Sequence, residues 1–156
     1  MVDCQSGHEK TITGMLSAMG GINLIYGLGM LDLGMTFSYE QLIIDNEIAG
    51  MINRVLYGIP VNDATLAVDV IHEVGPGGTY LGEDHTLEFM RSESSLANLF
   101  DRNNRANWDA AGQTDVRDRA HVKAQEILNE YKPVPLEKDV ADKIRSIISE
   151  AEKELL

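Results

Sequence analysis

Apolar residues recur at three- and four-residue spacing along most of the chain, a period that predicts helices. Over residues 7–19, Ile12, Met15, Leu16 and Met19 share one face, and Gly20 with Gly21 supplies the stop because glycine accepts the left-handed conformation. A second helix starts at Ser38, where Ser38 and Gln41 read as a capping box: the hydroxyl accepts from an early amide and Gln41 reaches back. Leu42, Ile44, Ile48, Met51, Ile52, Val55 and Leu56 make that helix apolar around much of its circumference, and Gly58 and Pro60 end it. Asp63 reads as the N-cap of a helix running to Val74, followed by a glycine-rich turn at 75–78 and a short helix over 84–93. Residues 101–112 read as polar and irregular, anchored by Trp108. Two amphipathic helices close the chain, one over 115–131 and one from about 136 onward. Pro133 and Pro135 separate them, and Val140, Ile144, Ile147, Ile148 and Ala151 form one stripe on the second.

Residues 22–27 break the period. Ile22, Leu24, Ile25 and Tyr26 form a short run between glycines, which reads as a strand buried on both faces, and residues 28–37 read as a glycine-rich loop. A lone parallel strand leaves its amides and carbonyls without neighbours. Either the segment is no strand, or its partners belong to a longer protein. There is no internal repeat and no evident domain boundary, so residues 1–156 read as one unit.

Composition narrows the function classes. With 156 residues, 44% of them hydrophobic, the chain can bury one core. A formal charge of −12 lacks the basic footprint that neutralises phosphates, which argues against nucleic acid and anionic membranes as partners. The single cysteine, Cys4, excludes an internal disulfide and fits a reducing cytoplasm. Residues 11–31 carry no charge, but glycines and Asn23 interrupt the run, and Asp3 and Glu9 precede it where a signal peptide needs positive charge. A buried helix followed by a buried strand explains the run better than a membrane span does. Cys4 and His8 lie four apart, yet two ligands do not make a metal site, and His72, His85 and His121 are scattered. No nucleophile signature and no phosphate loop is present. Asp45 and Glu47, within the second helix, could be buried acids paired with basic groups from outside this chain, but solvent exposure is the simpler reading.

An ordered series of segments carries a resemblance: QSGHEK at 5–10, GINLIYGLG at 21–29, SYEQLIIDNE at 38–47, VGPGGTYLGEDHT at 74–86 and ILNEYKPVPL at 127–136. Between the last two lie Arg91, Ser92, Glu93, Asp101, Arg102, Trp108, Gly112, Arg119 and Ala120. In this order they resemble the C-terminal part of the trimethylamine methyltransferase family over nearly the whole chain. The resemblance implies an α/β fold, the closing segment of a (β/α)8 TIM barrel, mostly helical in this portion. It implies transfer of a methyl group from a methylated amine to the cobalt of a corrinoid carried by a partner protein, with no cofactor bound directly by this chain. Members acting on trimethylamine carry pyrrolysine, encoded by an in-frame amber codon; relatives without it act on quaternary amines such as glycine betaine.

A full barrel needs about 250 residues, so the resemblance further implies that Met1 is internal to a longer, cytoplasmic enzyme. The rest of the barrel and the pyrrolysine would lie upstream, and a homo-oligomer of the full-length enzyme is compatible with it. Barrel sites gather at the C-terminal ends of strands. Tyr26 is therefore expected to line the cavity or donate a hydrogen bond, and Asp32 to balance a cationic amine, against the simpler reading of a core tyrosine and an exposed loop acid. Asp3 and Gln5 would follow the pyrrolysine and orient or protonate its imine; helix capping is the alternative for Asp3. The rival function is a non-catalytic helical interaction module derived from the same family.

Overall fold

The computed structural model describes residues 2–155. The chain divides into two compact units, residues 1–125 and 126–156.

Helix α1 (Cys4–Met19) starts where Asp3 Oδ1 accepts from the Ser6 amide at 3.0 Å while Ser6 Oγ accepts from the Asp3 amide at 3.2 Å. It ends in a Schellman turn, with the Gly21 amide donating to Ala18 O and the Ile22 amide to Ser17 O. Gly21 takes the left-handed conformation there, with φ +83°. Helix α2 (Tyr39–Tyr57) is capped by Ser38, whose Oγ accepts from the Gln41 amide at 3.2 Å. The expected return contact is absent, because the Gln41 side chain turns inward instead. At the other end, Arg54 Nη1 donates to Gly58 O at 3.0 Å.

Between these helices lies the chain's pleated structure: β1 (Met30–Leu31) and β2 (Thr36–Phe37), antiparallel, with Met30 opposite Phe37 and Leu31 opposite Thr36. A 3-10 turn (Asp32–Gly34) joins them. Gly29 cannot be replaced without strain: its φ is +79°, and a Cβ would lie 2.7 Å from Phe37 Cε2 and 3.1 Å from Leu42 Cβ.

The expected fold class is therefore overturned. Residues 22–27 form no strand, and among the described residues the sheet consists of two two-residue strands in an open antiparallel pair. This is not a segment of a closed, multi-stranded (β/α)8 barrel. Segment 22–27 has no neighbouring strand to receive its amides and carbonyls, so its apolar composition does not make it a strand. The chain is instead mostly helical. Residues 63–74 contain two helices, α3 (Asp63–Leu66) and α4 (Val68–Val74), capped by Asn62 rather than Asp63 and divided at Ala67, where φ is +49°. Helix α5 spans Asp84–Phe89. The stretch expected to be irregular contains α6 (Arg105–Ala110), whose N-cap Asn104 accepts from the Asn107 amide at 2.9 Å. Trp108 anchors its end by donating from Nε1 to Thr114 O at 2.9 Å. Helices α7 (Val116–Glu130) and α8 (Lys138–Leu155) complete the described chain.

Helix α2 is the centre of the first unit. Ile44 and Ile48 form its core with Leu99 and Ala120, and Val2, Ile43, Ile52, Phe100 and Val116 pack against them. Helix α1 meets α2 through its small residues: a Cβ on Gly14 would sit 3.1 Å from Ile52 Cδ1. The apolar stripe of α1 is left exposed at Ile12, Leu16 and Met19. No described helix is long and apolar enough to cross a membrane.

Candidate functional site

Asp45 is the chemical centre of the first unit. It is only 5% exposed, and both carboxylate oxygens are engaged. Lys10 Nζ from α1 reaches Oδ2 at 2.5 Å, and the Gly29 amide donates to the same oxygen at 2.8 Å. Gln41 Nε2, one turn earlier on α2, donates to Oδ1 at 2.6 Å. Lys10 Nζ also donates to Gly27 O at 3.1 Å, and Ser6 Oγ donates to Gln41 Oε1 at 3.1 Å. A buried charge is tolerable only when paired and hydrogen-bonded, and here one carboxylate takes three donors from three parts of the chain. The result is a polar clamp that ties α1, α2 and the 27–29 backbone together.

Against this clamp lies an open cleft of about 450 Å³ between α1, α2 and segment 22–30. Lys10 and Asp45 form its polar wall, and Ile22, Leu24, Ile25 and Ile48 supply apolar lining. Tyr26 also lines the cavity, although it is 83% exposed, and its hydroxyl has no partner among the described residues. With three donors on its carboxylate, Asp45 is suited to holding the loop in place. A second cavity, of about 380 Å³, is lined by Asp3, Cys4, Gln41, Ile44, Phe100 and Val116 among others.

The four residues singled out from the sequence do not converge. Tyr26 borders the first cavity and Asp3 the second; Gln5 and Asp32 line neither. Asp3 caps α1, the alternative role read from the sequence, and Gln5 Nε2 donates to Glu9 Oε1 at 2.9 Å on the exposed side. Asp32 opens the 3-10 turn with φ +50°. Cys4 is exposed, and among the described residues no group of three or more His, Cys, Asp or Glu side chains is placed to hold a metal ion.

The reading of Asp45 as an exposed acid is corrected. A signal for its burial was present: Gln41, Ile44, Asp45, Ile48 and Ile52 fall at the spacing of one helical stripe, which puts the carboxylate among core positions. Its partner Lys10 lies 35 positions away, and nothing local announces that pairing. Glu47 is half-buried and accepts from the Asn98 amide at 2.8 Å. A second ionisable contact joins α2 to α7, with His121 Nδ1 2.8 Å from Glu40 Oε1. The hydrogen bond from His121, then those from the Glu40 backbone and Ser38, lower the Glu40 pKa from 4.5 to about 2.

Comparison with known proteins agrees with the order of segments. The family model described as trimethylamine methyltransferase (MTTB) matches residues 1–155. A trimethylamine methyltransferase MttB from Desulfitobacterium hafniense is 51% identical over 152 residues, covering 97% of this chain and 30% of that protein. The MttB of Methanosarcina barkeri is 42% identical over 151 residues, again 97% of this chain and 30% of the relative. A glycine betaine methyltransferase from D. hafniense is 35% identical over 155 residues, 99% of this chain and 32% of the relative. The chain thus spans about 30% of the length of the curated relatives it matches.

Proposed function

Because the chain belongs to the trimethylamine methyltransferase family, we propose that it is part of a corrinoid-dependent methyltransferase acting on a methylated amine. The observation that carries this reading is the family match across residues 1–155. Trimethylamine is favoured as substrate over a quaternary amine because the relatives named for trimethylamine are 51% and 42% identical, against 35% for the one named for glycine betaine.

In the proposed reaction the substrate is the protonated amine: its C–N bond breaks, both electrons stay on nitrogen, and dimethylamine leaves, keeping the proton. The corrinoid, carried by a separate protein, supplies the nucleophilic metal that takes the methyl group. No histidine or cysteine lines this 450 Å³ cleft, so its residues do not suit ligation of a metal, and the cleft has more room than one small amine fills. This chain's own contribution is positional. The Lys10–Asp45–Gln41 clamp fixes the backbone at 27–29, and with it the approach of Tyr26 to the cavity. Tyr26 would offer an aromatic face to a cationic amine, and Asp32 a compensating charge. In the finer form of the proposal, this chain is the C-terminal part of the enzyme and pyrrolysine lies upstream. Asp3 and Gln5 then follow it in sequence, and in this form of the proposal they orient or protonate its imine.

The test isolates the native protein from its source cells with an antibody against residues 136–156. The expected product is far heavier than 17.2 kDa, gives peptides crossing residue 1, and releases dimethylamine from trimethylamine only when a corrinoid protein is present. A 17.2 kDa product alone, inert in that assay, would overturn the enzyme reading in favour of a non-catalytic module.

A further inference from the structure

One chain of hydrogen bonds crosses α2 from the second cavity to the cleft. Ser6 and Gln41 line the 380 Å³ cavity, whereas Lys10 and Asp45 line the 450 Å³ cleft. Ser6 Oγ lies 3.1 Å from Gln41 Oε1 and 3.0 Å from Asp3 O, but a hydroxyl has one proton to give. Asp3 O already accepts from the Gly7 amide at 3.2 Å. Gln41 is 0% exposed, and among the described residues Ser6 is the one donor to its Oε1. A buried acceptor is the one that cannot go without a donor, so the proton belongs to Gln41. The amide cannot turn end for end either, because Oε1 would then face Asp45 Oδ1, which accepts from Nε2 at 2.6 Å. Each link therefore has one workable direction: Ser6 donates to Gln41, Gln41 donates to Asp45, and Asp45 also receives the Gly29 amide at 2.8 Å.

We propose that Ser6 is a positioning residue, which acts through Gln41 and Asp45 to set loop 27–29 from the first turn of α1. Without the Ser6 hydroxyl, Gln41 Oε1 regains a partner only by swinging toward the 380 Å³ cavity that it lines, and that movement draws Nε2 away from Asp45. Asp45 then holds the Gly29 amide and the Lys10 ammonium with one restraint fewer, and Lys10 in turn donates to Gly27 O at 3.1 Å. Position thus passes from residue 6 to residues 27–29 across a helix to which neither belongs. What the coupling serves rests on the methyltransferase reading. The first turn of α1 carries Gln5 beside the cap Asp3, loop 27–29 adjoins Tyr26, and the relay holds these two ends at a fixed separation. The coupling itself needs no substrate, so it stands or falls apart from that reading.

Amide exchange followed by NMR on the 156-residue chain tests the coupling. Ser6→Ala is expected to speed exchange of the Gly29 amide roughly fivefold or more, and Ser6→Thr, which keeps the hydroxyl, to restore the native rate. Ser6 also shares the cap of α1, so Asp3→Ala is the control: it removes the acceptor of the Ser6 amide and leaves the bond to Gln41 in place. That variant should speed exchange of the Ser6 amide without moving Gly29. Gln41→Glu separates hydrogen bonding from packing. The introduced carboxyl reproduces both contacts only while it keeps its proton, because the Asp45 carboxylate faces it with Lys10 beyond, and Asp3 and Arg117 line the cavity on the other side. The folded state then holds that proton more tightly than the unfolded chain does, so protection falls as pH rises. Gly29 should be protected as in the native chain near pH 4 and lose protection as pH climbs above the ordinary carboxyl range. Gln41→Met, of similar length without polar ends, should speed Gly29 exchange at every pH. Native Gly29 exchange in Ser6→Ala, equal effects of Asp3→Ala and Ser6→Ala at Gly29, or a pH-independent Gln41→Glu would each overturn the proposal. A full-length enzyme inert toward methylated amines, with Gly29 still responding to Ser6, would instead remove the methyltransferase reading and leave the coupling supported.

Discussion

Substituting Asp45 by alanine removes the acceptor for three donors with different means of escape. The Lys10 side chain is 25% exposed and that of Asp45 only 6%, so the ammonium can swing into water when its partner is lost. The Gly29 amide and Gln41 Nε2 are buried and cannot. A buried donor left without an acceptor costs about 1–3 kcal/mol. The local opening free energy at Gly29 should therefore fall by about 2 kcal/mol, which speeds exchange of its amide roughly thirtyfold. Lys10→Met works the other way, leaving a carboxylate in a site it cannot leave. Breaking a buried pair from that side costs about 3–5 kcal/mol, lowered here to about 2–4 kcal/mol because the lysine is already partly hydrated. Lys10→Met should thus destabilise the first unit more than Asp45→Asn, which leaves behind only a cation able to hydrate. The double variant should cost less than the sum of the two single ones. Amide exchange resolved at residues 22–31, together with urea midpoints, reads both effects. Unchanged Gly29 exchange in Asp45→Ala, or Asp45→Asn costing as much as Lys10→Met, would show that the clamp does not hold the loop.

The Glu40–His121 contact gives a pH dependence with a defined sign. The folded-state pKa of Glu40 lies near 2, below the 4.5 of the free side chain, so the native state binds fewer protons between those values. The contribution is fully present above pH 4.5 and is lost as pH falls toward 2. Urea midpoints of the protein and of His121→Ala should differ at pH 5 and converge near pH 2; a constant difference would refute the linkage. Gly29→Ala combines a φ of +79° with a 2.7 Å approach to Phe37 Cε2. It should cost about 2–4 kcal/mol, and an unchanged urea midpoint would show that the hairpin shifts freely.

How much of this was legible follows from what each signal reports. Caps are local chemistry. Ser38, the glycine pair after Met19 and the boundaries of α7 all followed from residues within one turn of the event. Gln41 shows the limit of that logic. Its position invites a return bond to the Ser38 backbone, but a buried Asp45 one turn later is a stronger demand, and the amide goes there at 2.6 Å. Asn104 was a cap in plain sight, overlooked because the polar residues around it suggested irregular chain, whereas a short helix needs only its cap and an anchor. The functional candidates depended on a barrel and did not gather into one site. Gln41 and Asp45 lie on one helical stripe of α2 that the sequence displays, whereas Lys10 sits on another helix 35 positions from Asp45, and no local pattern joins it to them.

Residues 22–27 and the stripes of α1 and α8 share a physical cause. Hydrophobic period reports that a face is free-energetically better covered, and it is silent on what covers it. In α1, Ile12, Leu16 and Met19 obey the period, yet the helix docks on α2 through Gly14, because a close backbone approach lets Lys10 reach Asp45 across the interface. The polar clamp thus fixes the rotation of α1 against its own apolar stripe. A strand reading fails for residues 22–27 for the converse reason. Burial on two faces needs neighbours on two edges, and the partners here are not a strand: the Ile22 amide closes the end of α1 at Ser17 O, Gly27 O accepts from Lys10 Nζ and the Met30 amide, and the Gly29 amide donates to a carboxylate. Loosening the clamp should therefore free α1 to roll toward its apolar face. Lys10→Met is then expected to bury Leu16 and Met19 and to expose Gly14, a change that side-chain oxidation of Met19 would register as protection. Unaltered oxidation in that variant would mean that packing of Gly14 against Ile52, rather than the ion pair, sets the rotation.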